Sequence, residues 1–297
     1  MTESSIQNIL IGLDLSSADE AILSFLRQNR EILNSENVHF IHVKENDASD
    51  SDSGSLGMKK EETEKLLTKR IENSIPNKIN YDVQLISGEP GEVIRNYIRT
   101  HESDLLVLGH KLTKKHEVEP NKLVKESACS LLLIPEKDEF NIKKVGVALD
   151  FSELSLRALR DAHHIAKSVG AELFGIHTFQ VPSGYHKSGK DHKEFAKVME
   201  GHARSDAEAF LKKSGIREIE MVYLYDENKR PSECISNYTK ENAIDLLVMG
   251  SKGRTGAASV LIGSVAKNLS KKLYEIPLVI IKDKNKSMDF LDALKKI

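Results

Sequence analysis

The chain has 297 residues, of which 39% are hydrophobic and 30% are charged. This length suggests two ordinary domains, and the composition is that of a globular rather than a disordered chain. Lys and Arg total 43 while Asp and Glu total 45, so the net charge is −2 and there is no basic excess to favour nucleic acid. No apolar run approaches the roughly 20 residues of a membrane-spanning helix.

The two cysteines, Cys129 and Cys234, provide no disulfide framework and fit a reducing compartment. The N-terminal residues 1–6 are polar and do not resemble a signal peptide. We therefore expect a cytoplasmic protein with no nucleic-acid or membrane partner.

The first half alternates short apolar runs with helical patterns. A helix follows a cap at Ser16 or Ser17, and further amphipathic helices are predicted over residues 59–75 and 92–101. Buried strands are predicted over residues 8–14, 38–43, 81–86, 104–109 and 131–135.

The second half repeats this pattern. With a shift of 141 positions, residues 88–111 match residues 229–252 at 11 of 24 positions without a gap. This period is too long for a solenoid and indicates two copies of one domain. The predicted domains are residues 1–137 and 141–284, followed by a C-terminal helical tail over 285–297.

Strands that alternate with helices predict an α/β fold, in which parallel strands are joined by right-handed crossovers and helices cover both faces. Ligands of such sheets bind beyond the carboxyl ends of the strands, where the winding reverses. Asp150, His177 with Thr178, and Gly250 each lie at such an end.

A glycine-rich stretch follows the apolar run 246–249. It contains Gly250, Gly253 and Gly256, and a helical pattern begins at Gly263 and Ser264. Glycines allow close approach of the backbone, and a helix start offers unpaired N–H groups and partial positive charge. These features predict a nucleotide phosphate site.

The spacing Gly250-x2-Gly253-x9-Gly263-Ser264 resembles the signature of ATP-binding universal stress proteins. The strand that ends in Asp150-Phe151-Ser152 and the segment Ile176-His177-Thr178 are also similar to that family. Because both halves are covered, the resemblance implies two tandem open parallel five-stranded sheets, each with strand order 3-2-1-4-5.

The resemblance also implies site residues. Ala148, Asp150 and Thr178 would line the adenine and ribose, where Asp150 can accept from hydroxyl or amine groups. The ribose and phosphates would be held by Met249, Gly250, Lys252, Gly253, Gly263, Ser264 and Val265. ATP would be accompanied by Mg²⁺.

The N-terminal half departs from this signature. Asp14 is present, but the stretch after Gly109 lacks the second glycine, and residues 113–120 replace the glycine-rich loop. We expect one nucleotide site, in the C-terminal half, with the N-terminal half as its built-in pairing domain. Homodimerisation is left open.

The leading hypothesis is an ATP-binding stress-response regulator rather than an enzyme, because no general base or nucleophile stands out near the loop. Slow ATP hydrolysis or self-phosphorylation is left open. An adenylating enzyme would need an SGGxDS-like loop after the strand, and residues 150–153 do not supply one. The alternative is a non-nucleotide sensor or scaffold that acts through the N-terminal half. His186 and His192 lack the convergent spacing of a zinc site.

Overall fold

The computed structural model describes residues 6–29, 37–44, 60–75, 80–111, 129–254 and 262–283. The chain divides into two compact units. Unit 1 comprises Met1–Asn141 with Lys282–Ile297, and unit 2 comprises Ile142–Ile281.

Unit 1 alternates strands and helices as its apolar pattern predicts. Its described elements are β1 (Asn8–Leu13), α1 (Ser17–Gln28), β2 (Asn37–Lys44), α2 (Lys60–Glu72), β3 (Asn80–Ser87), α3 (Pro90–Thr100), β4 (Leu105–His110) and β5 (Ser130–Pro135). The strand pairs are parallel and give the order β3-β2-β1-β4-β5.

Unit 2 follows the same plan. Its described elements are β6 (Lys144–Ala148), α4 (Glu153–Val169), β7 (Glu172–Phe179), a 3-10 turn (Tyr185–Ser188), α5 (His192–Ser214), β8 (Glu220–Tyr225), α6 (Pro231–Glu241), β9 (Leu246–Gly250), α7 (Ser264–Lys272) and β10 (Leu278–Ile281). Its parallel pairs give the order β8-β7-β6-β9-β10.

Local chemistry sets several helix ends. Ser16 caps α1 by accepting from the amide of Ala18, and Ser152 caps α4 by accepting from the amide of Ser155. Gly170 ends α4 with φ +69°, a left-handed conformation that glycine adopts without a Cβ penalty. These caps fix where the first helix of each unit begins, directly after the acid that follows the first strand.

The α/β class with parallel strands is confirmed, and the apolar strands form the core. β1, β4, β6 and β9 are almost entirely buried, because helices such as α1 and α4 pack against them. The parallel pairs within each unit follow the order 3-2-1-4-5, and the prediction of two separate sheets is not confirmed. Apolar patterning locates strands but does not say whether a sheet edge stays open. The predicted tail 285–297 lies outside the described residues.

Among the helices that the structure describes, none is long and apolar enough to cross a membrane.

Candidate functional site

Two neighbouring strands of unit 2 end at the edge where the sequence predicts a ligand. β6 ends at Ala148 and β9 ends at Gly250, and Ala148 lies opposite Met249 in the parallel ladder. Asp150 follows two residues after β6. Met249 is only 5% exposed, so its side chain belongs to the core.

The register of the next strand brings Thr178 to the same edge. Ala148 pairs with Ile176, so Thr178, two residues further along β7, lies level with Asp150. Thr178 is half-buried, whereas its neighbour His177 is buried. The structure therefore brings together the predicted residues of β6, β7 and β9.

The carboxylate of Asp150 is bonded to the glycine-rich loop. Its Oδ1 accepts from the amide of Ser152 at 3.1 Å, and its Oδ2 accepts from the amide of Arg254 at 2.6 Å. A Cβ on Gly253 would lie 2.6 Å from the same Oδ2, too close for any side chain. Gly253 thus permits the loop to cross the carboxylate, an arrangement that the sequence does not reveal.

The helix start beyond the loop is open to solvent. Gly263 is the N-cap of α7, and its amide donates to the carbonyl of Ser251 at 2.6 Å. No side chain of the described residues caps α7, while Ser264 is exposed and Val265 half-buried. The first-turn amides therefore keep the donors that a phosphate group could use.

Gly263 is not explained by its own backbone or by crowding. Its φ is −74°, which any residue adopts, and an added Cβ would come no nearer than 3.4 Å to protein atoms, the carbonyl of Ser251 being the nearest. The fold alone would accept alanine at this position. The glycine therefore calls for another reason, such as the close approach of a bound group to the uncapped helix start.

Positive side chains flank the loop. Lys252 is half-buried and Arg254 is exposed, and neither forms an ion pair with a described residue. They leave positive charge available near the start of α7. Thr255 and Gly256, which belong to the predicted loop, lie outside the described residues.

Gly250 has a packing role that is independent of any ligand. A Cβ there would lie 3.1 Å from Cγ of Leu154 at the start of α4. Gly109 holds the matching place in unit 1, where a Cβ would lie 2.5 Å from Cβ of Ala18 in α1. The glycine that ends the fourth strand of each unit thus allows the first helix to approach.

Two residues that sequence reasoning did not assign to the site lie beside Asp150. Phe151 has φ +66°, a strained conformation for a residue with a side chain, and its ring stacks on His177 with a centroid distance of 4.3 Å. Nδ1 of His177 lies 2.8 Å from the carbonyl of Leu149. Burial lowers the pKa of His177, which favours the neutral ring. The repeated Asp-x-Ser and Ile-His pairs are the signals that could have identified them.

In unit 1 the corresponding acid is already paired with a lysine of the same chain. Lys111 Nζ forms an ion pair with Oδ2 of Asp14, and Oδ1 of Asp14 accepts from the amide and hydroxyl of Ser16. Burial acts to raise the pKa of Asp14, but Lys111 and Ser16 outweigh it and the pKa lies below its ordinary value. The acid that would face a ribose is already engaged.

A second acid lies behind the first in unit 1. The carboxylate of Asp19 accepts from the amides of Asp14 and Leu15, both at 2.9 Å, and Asp19 is 1% exposed. Burial raises the pKa of Asp19 to about 6, and the neighbouring charge of Asp14 adds to this. Leu15 has φ +63°, as Phe151 does in unit 2. Two carboxylates at this turn disfavour a polyphosphate.

The histidines that could suggest a metal site have other contacts. Nε2 of His192 lies 2.9 Å from the hydroxyl of Tyr225, and the ring of His186 contacts that of Tyr185. Within the described ranges, no three His, Cys, Asp or Glu side chains converge in a way that could hold a metal ion.

The fold defines a tandem α/β protein in which each half repeats one domain. Residues 5–135 and 141–282 both match the universal stress protein family, so the chain belongs to that family and carries two copies of its domain.

Curated relatives match about half of the chain. YxiE, a universal stress protein of Bacillus subtilis, is 30% identical over 155 residues, which is 47% of this chain and 98% of that protein. A universal stress protein of Methanocaldococcus jannaschii is 29% identical over 146 residues, which is 48% of this chain and 84% of that protein.

Solved structures share the fold over nearly the whole chain. A functionally unknown protein of Pseudomonas aeruginosa has a TM-score of 0.68 at 14% identity, and 99% of this chain and 98% of that chain are covered. A universal stress protein of Archaeoglobus fulgidus has a TM-score of 0.63 at 18% identity, with coverage of 94% and 99%. At these identities the likeness shows the fold alone.

Proposed function

We propose that the protein is an ATP-binding regulator of the stress response with one nucleotide site, in unit 2. The observation that carries the proposal is the uncapped start of α7 at Gly263, where an added Cβ would make only ordinary contacts of 3.4 Å or more with protein atoms. The protein packing does not require glycine there, whereas a phosphate group that approaches the first-turn amides does.

The remaining predicted residues fit this proposal. Asp150 and Thr178 lie level at one edge and would face the ribose and adenine, with Ala148 beside them. Lys252 and the amides of Ser264 and Val265 would face the phosphates, and the main chains of Met249, Gly250 and Gly253 would line the approach. Asp150 would exchange its bond to Arg254 for a ribose hydroxyl.

Mg²⁺ would neutralise part of the phosphate charge and be held chiefly by phosphate oxygens and water, because it keeps several waters in most protein sites. ATP would serve as a regulatory ligand, and a cytoplasmic location, domain pairing and homodimerisation belong to the same proposal. A role of unit 1 as a separate ligand sensor has less support, because Asp14 is already paired with Lys111.

The test begins with the purified full-length chain. Mass spectrometry should find adenine nucleotide released on denaturation, and calorimetry should detect ATP binding in the presence of Mg²⁺. The variant Gly263→Val should bind ATP at least roughly tenfold more weakly, because its side chain would hinder the approach of a phosphate to the first-turn amides.

Gly201→Val is the matched control, since Gly201 is exposed on α5 and a Cβ there meets no atom within 4 Å. It should bind ATP as the wild type does. Absence of both released nucleotide and ATP binding would refute the proposal. Normal binding by Gly263→Val would refute the placement of the phosphates at the start of α7.

A further inference from the structure

A cavity of about 340 Å³ lies beside the first turn of α4, and Gly263 is not among the residues that line it. Its apolar walls are formed by Phe151, Leu156 and Phe210, and its charged lining includes Asp206, Lys213 and Arg254. This volume falls at the lower end of the range typical of small-molecule sites, roughly 300–1,000 Å³. The proposed nucleotide site makes no use of the two phenylalanines.

The aromatic walls are held in place by packing. Phe151 is stacked on His177 at 4.3 Å with an interplanar angle of 22°, and its centroid lies 5.3 Å from that of Phe210. The positive φ of Phe151 turns the chain sharply where the ring enters this cluster. Backbone strain of this kind is concentrated at ligand and active sites. A flat ring of a ligand would find aromatic surface on which to pack.

The lining carries two cations, Lys213 and Arg254, and two acids, Glu153 and Asp206. Lys213 forms an ion pair with Glu153, so its charge is already matched. Arg254 is anchored by its amide to Asp150 and forms no ion pair with a described residue. Asp206 contributes the opposing charge on α5. Arg254 can attract one negative charge of a ligand. The nearby carboxylate of Asp206 would repel the additional charges of a polyphosphate.

We propose that this cavity is a second binding site, which takes a flat aromatic molecule with one negative charge. The ring lies against Phe151 and Phe210, and the anion lies near Arg254. Arg254 also belongs to the loop that crosses Asp150, so the cavity and the glycine-rich loop share one residue.

The test uses anilinonaphthalenesulfonate, an aromatic monoanion whose fluorescence rises in apolar surroundings. Titration of the full-length protein should saturate at one equivalent. Ala209→Trp fills the cavity and should abolish saturable binding, while Ser205→Trp, on an exposed part of α5 outside the lining, should not. Circular dichroism checks that both variants fold.

A second pair of variants tests the anion. Arg254→Gln should weaken binding roughly threefold, the effect of losing one exposed ion pair. Arg217→Gln, which removes an exposed cation outside the cavity lining, should leave binding unchanged.

In the absence of ATP, the probe should bind Gly263→Val as it binds the wild type. Loss of probe binding in Gly263→Val would show that the probe occupies the phosphate site and would overturn the inference. Unchanged binding in Ala209→Trp would overturn it as well. These results do not depend on whether ATP is the physiological ligand.

Discussion

The two units place the same acid at the same turn and use it differently. Asp14 and Asp150 each accept at Oδ1 from the amide of the serine two residues later. At Oδ2, however, Asp14 is paired with the side chain of Lys111, while Asp150 holds the main-chain amide of Arg254. In unit 1 the ammonium group of Lys111 occupies the carboxylate of Asp14. In unit 2 the partner of Asp150 is a main-chain amide on a glycine-containing loop, which a ligand could replace.

The glycines divide along the same line. Gly109 and Gly250 are both required because the first helix of each unit approaches the end of its fourth strand. Gly253 and Gly263 have no counterpart in unit 1, and at Gly263 an added Cβ would make only ordinary contacts with the protein. The shared glycine, Gly109 or Gly250, is therefore explained by packing. Gly253 and Gly263, which only unit 2 has, are the glycines that support a ligand.

The largest expected effect comes from the shared glycine itself. In Gly109→Ala the new Cβ would lie 2.5 Å from Cβ of Ala18, which is attached directly to the α1 backbone, so the helix must move. We expect a loss of about 2–3 kcal/mol in the free energy of unfolding, which is typical of overpacking. Urea denaturation followed by circular dichroism measures it.

Gly250→Ala is the matched variant. Its nearest neighbour would be Cγ of Leu154 at 3.1 Å, so a shift of a few tenths of an ångström suffices and the loss should stay below about 1 kcal/mol. Equal losses in the two variants would contradict the packing explanation.

Asp19, the buried acid behind the turn of unit 1, should make the stability of the protein depend on pH. The pKa of Asp19 is raised from 3.8 to about 6, so its protonated form is favoured in the folded state. Its contribution to stability is complete below pH 4 and is lost as the pH rises through about 6. Asp19→Ser introduces the residue found at the matching place in unit 2, Ser155, whose hydroxyl donates to the carbonyl of Ser152 at 3.0 Å.

From pH 4 to pH 7, the unfolding free energy of the wild type should fall relative to that of Asp19→Ser by on the order of 2 kcal/mol. Urea titrations at one-unit pH intervals measure this difference, in which the pH response of other groups such as Asp161 cancels. Parallel curves for the two proteins would show that Asp19 does not titrate in this range.

Sequence patterns identify the strands and helices because burial and capping act locally. Which strand ends meet was implied by the resemblance to the universal stress protein family, not by the alternation of elements, and Asp150 and Gly250 do lie at the ends of neighbouring strands. The role of Gly250 was harder to predict, since the approach of Leu154 depends on the angle at which α4 packs.

Contacts between distant segments escaped prediction for the same reason. The bond from Arg254 to Asp150 joins residues that are 104 positions apart, and no local pattern records it. The positive φ of Phe151 also has no glycine or asparagine to signal it. Leu15, at the same place in the turn Asp14-Leu15-Ser16, shares the conformation, and its residue type gives no signal of it either.

The third prediction tests whether one acid alone faces a nucleotide. Asp150→Asn keeps the size of the side chain but removes its charge and one acceptor, so ATP should bind about tenfold more weakly. Asp14→Asn makes the same change in unit 1, where Lys111 engages the acid, and should leave ATP affinity unchanged. Calorimetry with ATP and Mg²⁺ measures both. Equal losses would mean that the units share the binding function.

The smallest effects come from the two lysines. Lys111→Gln breaks the ion pair with Asp14, whose side chain is 55% exposed, so it should lower stability by only a few tenths of a kcal/mol. Because Lys111 helps to hold the pKa of Asp14 below its ordinary value, this loss should be present at neutral pH. It should begin to shrink below about pH 4 and disappear once the pH falls through the lowered pKa of Asp14.

Lys252→Gln changes the matching lysine of unit 2, which forms no ion pair with any described residue. Its stability should be unchanged, whereas its ATP affinity should fall roughly threefold through the loss of one exposed charge near the phosphates. Thermal melts and calorimetry on both variants separate the two effects. Loss of a lysine that is paired within the fold, as Lys111 is, should affect stability alone. Loss of a lysine that binds a ligand, as proposed for Lys252, should affect affinity alone. The reverse assignment would mean that unit 1, and not unit 2, holds the nucleotide.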